Sequence, residues 1–388
     1  MGTVFRMLNH RGVSTRRIAA AVAITQGRLY DYMNGKSRVE KLALFEQIAD
    51  AFHIPGHLLG LARRSWEPAA ETQPHQPLPP DGDDLSAVDA FRVADRQTGG
   101  GRLYAAVVQH LRNRVAPRLV DLSTGNEVFA AAAALTEMAG WMAHDSGQNT
   151  AALDHFGRGL ALARTSGDLP LAAHVAASLS HLVLQGSDAV GAARWARTGL
   201  DLVGRGPRIP ALSSRLHTMQ ARALAAADQH APARRALEQA YRALDTSPDT
   251  AHPWLSPFDA GRLASEAALV LVDLGEYDEA LAAAEEAVAL RDAARARSLA
   301  LARISLAGIH VRRVDLDAAV AVGHDLLATS PTMGSVRVVQ QLDDLRALLQ
   351  RHRSYGPVRE YLVRFDDARR ARLLLLADLI PPPGGSRP

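Results

Sequence analysis

The stretch LASEAALVLVDLGEYDEALAAAEEAVAL, residues 263–290, places two amphipathic segments on either side of the turn LGEYDEA. Apolar residues recur at three- and four-residue spacing in both, which predicts a pair of antiparallel helices. Small residues stand at Ala268, Gly275, Ala280 and Ala287, where two closely approaching helices require them. The same template recurs along the chain. Anchored on Gly147 it gives Gly140, Ala152 and Gly159, with bulky Phe156 between the last two. Anchored on Asp228 it gives Ala221, Ala233 and Ala240, with Leu237. Anchored on Val314 it gives Ala307 and Ala319, but Leu326 takes the last small position. A looser fit is anchored on Gly186, with Gly191, Thr198 and bulky Trp195. The anchors lie 39, 42, 47 and 39 residues apart. Units that cannot bury their apolar faces alone and recur at near-constant period read as stacked repeats. Composition agrees: aromatics are 5% of the 388 residues and alanine is abundant, which favours helix-on-helix packing over sheets. The expected fold class is all-α.

This repeat resembles the tetratricopeptide repeat, whose period is shorter, ~34 residues. The excess predicts longer helices or inter-repeat loops, notably TSPDTAHPWLSPF at 246–258. Segments 86–122 and 335–376 are expected to be degenerate helical caps on the α-solenoid. The resemblance implies a right-handed superhelix whose concave groove suits an extended peptide or a partner's helix. In that family the first helix of each repeat lines the groove. Carried over by position, the lining residues are Glu137 and Trp141, then Arg215, Thr218 and Arg222, then Arg262 and Ser265. Arg215 and Arg262 share one register and are expected to form a column of guanidinium groups that grips carboxylates or carbonyls. The competing reading of each arginine is a solvated surface residue, and of Trp141 a core position.

Outside the repeats, WEPAAETQPHQPLPPDGDD at 66–84 holds five of the twenty prolines and little to bury. Residues 65–85 therefore read as a semi-stiff linker between a domain at 1–64 and the repeat domain at 86–376, with 377–388 as a tail. Net charge is +3, unevenly spread: residues 1–64 hold ten basic and four acidic residues. A small basic module joined to a near-neutral body is the charge pattern of a chain that meets a polyanion.

The basic module reads as five helices. Thr3 caps the first, to about Arg11. Ser14 or Thr15 caps the second and Thr25 the third, which Gly35 closes. The fourth runs from Val39 to Phe52, and a fifth starts at Pro55. Within STRRIAAAVAITQGRLYDYMNGK, residues 14–36, Ala19 is the tiny residue where two helices touch, and Ile24, Leu29 and Tyr32 are apolar pegs. These residues resemble the helix-turn-helix of the lambda-repressor/Cro-like (Xre-type) family. Two positions depart from that pattern: Ala23 stands where the turn usually has Gly, and Thr15 where Gln is common. The resemblance implies double-stranded DNA as partner, with the third helix in the major groove. Arg16 and Arg17 then meet phosphates, and Thr15 makes a weaker phosphate or base contact than the usual Gln. Thr25, Gln26, Arg28 and Asp31 face base edges, Gln pairing with adenine and Arg with guanine. Tyr30, Asn34, Lys36 and Ser37 touch the DNA backbone.

The chain has no cysteine, which excludes disulfides, thiol catalysis and cysteine-ligated metals. It lacks the GxxxxGK[ST], HExxH and GxSxG signatures, and its fifteen histidines are scattered. No enzymatic activity, catalytic residue, metal or cofactor is expected. The most apolar run, ARLLLLADLI at 371–380, is about half the ~20 residues a membrane span requires. The N-terminus MGTVFRMLNHRG has no secretory pattern, so a cytoplasmic location is expected. The order of basic module, linker and repeats resembles the peptide-pheromone-sensing (quorum-sensing) regulators of Gram-positive bacteria and the helix-turn-helix/tetratricopeptide regulators of actinobacteria. That resemblance implies a homodimeric transcription regulator on an inverted-repeat operator, controlled by a peptide, small ligand or protein in the repeat domain. The alternative is a protein-interaction scaffold or antagonist that acts through the repeat groove, with DNA binding secondary.

Overall fold

A computed structural model describes residues 2–10, 13–37, 39, 41–52, 54, 61, 64, 84–98, 100, 103–121, 125–245, 252–292, 295–329 and 335–375. The described residues are helical with no β-strand among them. The chain separates into two compact units, Met1–Leu78 and Pro79–Pro388.

In the first unit, α1 (Gly2–His10), α2 (Thr15–Ala21), α3 (Gln26–Met33) and α4 (Leu42–Ala51) surround Phe5, Ile18, Val22, Leu29 and Ile48, all fully buried. The side chains of Ser14 and Thr25 cap α2 and α3, each accepting a backbone N–H bond at 3.3 Å from Arg17 and Arg28. Each such cap contributes about 1 kcal/mol. Between the two helices Ala23 is left-handed at φ 49°, and the Ile24 N–H reaches back to the Ala19 carbonyl at 3.0 Å. Two boundaries differ from the sequence reading. Helix α1 starts at Gly2, so Thr3 lies inside it. Helix α4 starts at Leu42 rather than Val39, because β-branched Val39 packs on the core from outside the helix and Lys41 stands extended at the cap. The fifth helix expected from Pro55, the linker and the C-terminal tail lie outside the described residues.

The second unit opens with α5 (Asp84–Thr98) and with α6 (Tyr104–His110), which runs through a π-helical turn at Leu111–Val115 into α7 (Ala116–Leu119). Six helix pairs follow: α8 (Asn126–Asp145) with α9 (Asn149–Thr165), α10 (Leu169–Gln185) with α11 (Ala189–Val203), α12 (Pro210–Ala226) with α13 (His230–Asp245), α14 (Ala260–Asp273) with α15 (Tyr277–Ala289), α16 (Ala296–Arg312) with α17 (Leu316–Thr329), and α18 (Val336–Gln350) with α19 (Gly356–Leu375). Each of the first five pairs turns in three residues, and the middle one is left-handed: Gly147, Ser187, Asp228, Gly275 and Val314. The third residue's N–H then returns to a carbonyl five residues back, as from Glu276 to Leu271 and from Asp315 to His310, both at 2.9 Å. This closes the helix end with its otherwise orphaned carbonyls satisfied.

Four of the five anchors read from the sequence are those left-handed residues. The fifth is a correction. Gly186 has φ −81°, and the turn residue is its neighbour Ser187 at φ 64°. Anchored on Ser187, the template selects Ser180, Ala192 and Gly199, all small and all buried. The small positions are steric requirements. A Cβ on Gly140 would lie 2.5 Å from the Phe156 ring, and one on Gly199 would lie 2.2 Å from Leu216. In the fifth pair large and small exchange places: Leu326 is fully buried, and Gly323 makes room for the Tyr361 ring.

The first helices of successive pairs pack side by side from α8 to α18, and α18 returns to touch α8. Ser335, which caps α18, donates to Asp145 Oδ1 at 2.8 Å, so the array closes on itself. Segment 252–259 folds into the inner side, where Trp254 and Leu255 pack against the core of α8 to α10. Helix α5 covers that segment through Arg92, which donates to the Trp254 carbonyl at 2.6 Å.

Candidate functional site

Two sites emerge, one in each unit. In the first, burial divides α2 and α3 into two faces. Ile18, Ala19, Val22, Leu29 and Tyr32 are buried. Arg16, Arg17, Thr25, Gln26, Arg28 and Tyr30 are exposed, as are Asp31, Asn34, Lys36 and Ser37. Thr15 is half-buried at the start of α2, its hydroxyl 3.4 Å from that of Tyr30. A shallow surface groove along α3 brings together Thr25, Arg28, Asp31, Lys36 and Ser37. Arg28 is braced by its Nε, which donates to the Tyr32 hydroxyl at 3.0 Å. Exposed amide, guanidinium and ammonium groups on a rigid helix, with pegs locked beneath, can bond base edges and phosphates.

In the second unit, the inner side carries a partly open cavity of about 200 Å³. Of the residues expected to line the groove, Glu137, Trp141, Arg215 and Arg262 meet there. Thr218 and Arg222 do not. Thr218 is buried and donates to the Ser214 carbonyl of its own helix. Arg222 is buried against Glu266 at 2.5 Å, and its guanidinium holds that carboxyl below the usual range despite burial, which acts the other way. Ser265 accepts from Arg291 at 3.1 Å.

One wall of the cavity is a hydrogen-bonded chain. Glu137 Oε1 accepts from Trp141 Nε1 and from Ser178 Oγ, both at 2.6 Å. Ser178 in turn accepts from Arg215 at 2.9 Å, and Arg215 donates to His174 Nδ1 at 2.6 Å. Burial pushes the Arg215 guanidinium down to about 10, although Glu137 opposes this. The opposite wall carries Arg297, which grips Asp95 with both nitrogens at 2.9 and 2.8 Å and reaches Asp145 at 3.2 Å. Arg295 pairs with Asp259 at 2.7 Å.

Seven arginines and four carboxylates line this cavity. Among the described residues four of those arginines make no ion pair with a carboxylate: Arg215, bonded to Ser178 and His174, and Arg262, Arg291 and Arg337. Among the described residues the Arg291 guanidinium bonds only the Gly261 carbonyl and Ser265 hydroxyl. Among the described residues the guanidinium groups of Arg262 and Arg337 make no hydrogen bond or ion pair, and Arg262 bonds Asp259 through its backbone N–H alone. Burial, followed by the pull of Glu266 and the push of Arg262, leaves Arg337 at about 10. Burial depresses Arg291 and Arg215, and Arg262 adds to it at both, so its guanidinium lies among like charges.

Position in the repeat register would have found more of this site. Arg215 and Arg262 lie thirteen residues before their left-handed turn residues. Counted from Ser187, the same position is His174; counted from Val314 it is Leu301, which also lines the cavity. Arg337 was hidden because α18 reads as a degenerate cap.

No family model matches the sequence, and no curated protein matches it significantly. Among solved structures the chain is similar to a Rap protein complexed with competence and sporulation factor, 12% identical over 98% of this chain and 99% of that one, with a TM-score of 0.47. It is similar to the APC/C hetero-tetramer Cut9-Hcn1, 11% identical over 91% of this chain and 59% of that one, with a TM-score of 0.45. A tetratricopeptide repeat protein from Parabacteroides merdae ATCC 43184 is 14% identical over 69% of this chain and all of that one, with a TM-score of 0.34.

Proposed function

We propose that the protein is a sequence-specific, non-enzymatic DNA-binding transcription regulator whose repeat unit receives the controlling signal. The observation that carries this is the division of residues 14–37. Every side chain needed for packing is buried or half-buried, and Gln26, Arg28, Asn34 and Lys36 are left on the surface together. Apart from the Arg28 bond to Tyr32, the packing of the described residues does not use these side chains, and base-edge and phosphate contacts would. One short recognition helix makes few base contacts, so useful affinity needs two half-sites and a homodimer. The repeat unit would supply the dimer interface and the receptor cavity. A peptide, small ligand or protein partner would act by favouring one curvature of the array. Among the described residues no helix is long and apolar enough to cross a membrane. A cytoplasmic location is part of this proposal.

The test is selection of bound duplexes from a random pool by the full-length protein at fixed, near-physiological salt. The expected product is an inverted repeat with half-sites about one helical turn (~10 bp) apart. Uniform recovery of the pool overturns the reading. It would turn attention to a scaffold role, for which the inner side of the repeat unit is the surface to probe.

A further inference from the structure

We propose that the inner cavity of the repeat unit binds a compact polyanion, a small molecule with several phosphate or carboxylate oxygens close together, and that Arg262, Arg291 and Arg337 hold it. This deepens the reading of the repeat unit as the receptor for a controlling ligand and rests on it.

The charge inventory points there. Asp95 and Asp145 are spent on Arg297, Asp259 on Arg295, and Glu266 on Arg222. Glu137 accepts from Trp141 and from Ser178, which in turn accepts from Arg215, so the charges of Glu137 and Arg215 offset one another. What remains among the described residues is the guanidinium groups of Arg262 and Arg337, without a hydrogen bond or ion pair, and that of Arg291, with neutral acceptors only. These come from α14, the segment after α15, and α18, three separate places in the array that converge on one void. Like charges brought together away from bulk water repel strongly, and fixed guanidinium forks match the geometry of phosphate and carboxylate oxygens. An anion that joins them would convert repulsion into charge-assisted hydrogen bonds.

The shape limits the guest. Segment 252–259 fills part of the inner side, and α5 is fastened over it by Arg92 and by the Asp95–Arg297 pair. The Ser335–Asp145 bond closes the ring on the other side. The remaining volume, about 200 Å³, lies below the ~300–1,000 Å³ of sites for drug-sized ligands. A small, highly charged molecule fits these dimensions.

The experiment is calorimetric titration of the full-length protein, without DNA, with inorganic pyrophosphate and separately with citrate, at constant ionic strength. Sulfate serves as the control. The expected result is saturable one-to-one binding of at least one probe and none of comparable strength for sulfate. Which probe binds tells a phosphoryl guest from a polycarboxylate. Arg262→Gln and Arg337→Gln are each expected to weaken that binding by about ten- to a hundredfold. Each is also expected to leave the ligand-free melting temperature equal to or above that of the parent, because a repelled cation is removed. Absence of binding by both probes, unchanged affinity in both variants, or a lowered melting temperature in both overturns the proposal. Because no DNA is present, this result stands apart from the duplex selection.

Discussion

Val314 is the residue whose conformation suits it least. It is β-branched, two-thirds exposed and left-handed at φ 61°, in the turn between α16 and α17. A left-handed L-residue costs ~1–2 kcal/mol, and β-branching raises that cost. The turn nonetheless holds, because the Asp315 N–H bond to His310 and the packing of both helices fix its geometry. Val314→Gly is expected to stabilise the protein by about 1 kcal/mol, since strain relief exceeds the added freedom of the unfolded chain. Urea unfolding monitored by circular dichroism reads this as a higher midpoint with unchanged slope; a lower midpoint would show that the valine side chain contributes packing worth more than the strain. The same positions show how far the sequence could be read. Gly147 and Gly275 advertise their turns, and the template reached Asp228 and Val314 through their small neighbours. It slipped at Gly186 because a glycine beside the true turn outweighed Ser187. Residue type identifies a left-handed position only when glycine occupies it; elsewhere the constraint sits in contacts that sequence spacing does not display.

At the scale of elements, α2 and α3 were legible because their caps, pegs and turn all lie within 23 residues of one another. Start signals for α4 were weaker, since Lys41 offers no capping oxygen and its boundary was set by Val39 packing. The two helices carry separable roles in the proposed complex. Arg28 projects from α3 with its Nε tied to Tyr32, while Arg16 and Arg17 stand exposed in the first turn of α2. Arg28→Ala is expected to cost ~1–3 kcal/mol on the selected operator and to relax preference at one base position. Arg16→Ala is expected to weaken binding evenly across sequences and to lower the salt slope by about one. Fluorescence anisotropy on operator and scrambled duplexes, repeated across a salt series, separates the two. Equal loss on both duplexes for Arg28→Ala would remove α3 from base recognition and leave it a phosphate contact.

Across the whole repeat unit, what escaped the sequence is what depends on closure. Arg337 reaches the cavity only because α18 returns to α8, and Asp95 only because α5 lies on the inner side, neither of which local spacing encodes. Closure also buries titratable groups, which ties the stability of the array to pH. His174 and His181 are 2% and 3% exposed, and burial holds both well below the ordinary histidine value. Arg215, Arg92 and His252 add to that at His174, outweighing Glu137 Oε1 at 3.5 Å; Arg337, Arg222 and His144 add to it at His181. Arg215 donates to His174 Nδ1, which requires a neutral ring. Below about pH 6.5, the ordinary value, the unfolded chain therefore binds protons at both positions that the folded chain refuses. Stability rises with pH wherever the unfolded state binds more protons, so it must fall as pH drops through this window. Each ring contributes up to about 1.4 kcal/mol per pH unit until the folded-state value is reached. Urea midpoints between pH 7.5 and 5.0 are expected to fall, and His181→Phe, which keeps a ring beside Trp141 without a proton site, is expected to remove its share of the slope. A variant with the parent's slope would show that His181 takes no part in the acid sensitivity and would leave it to His174.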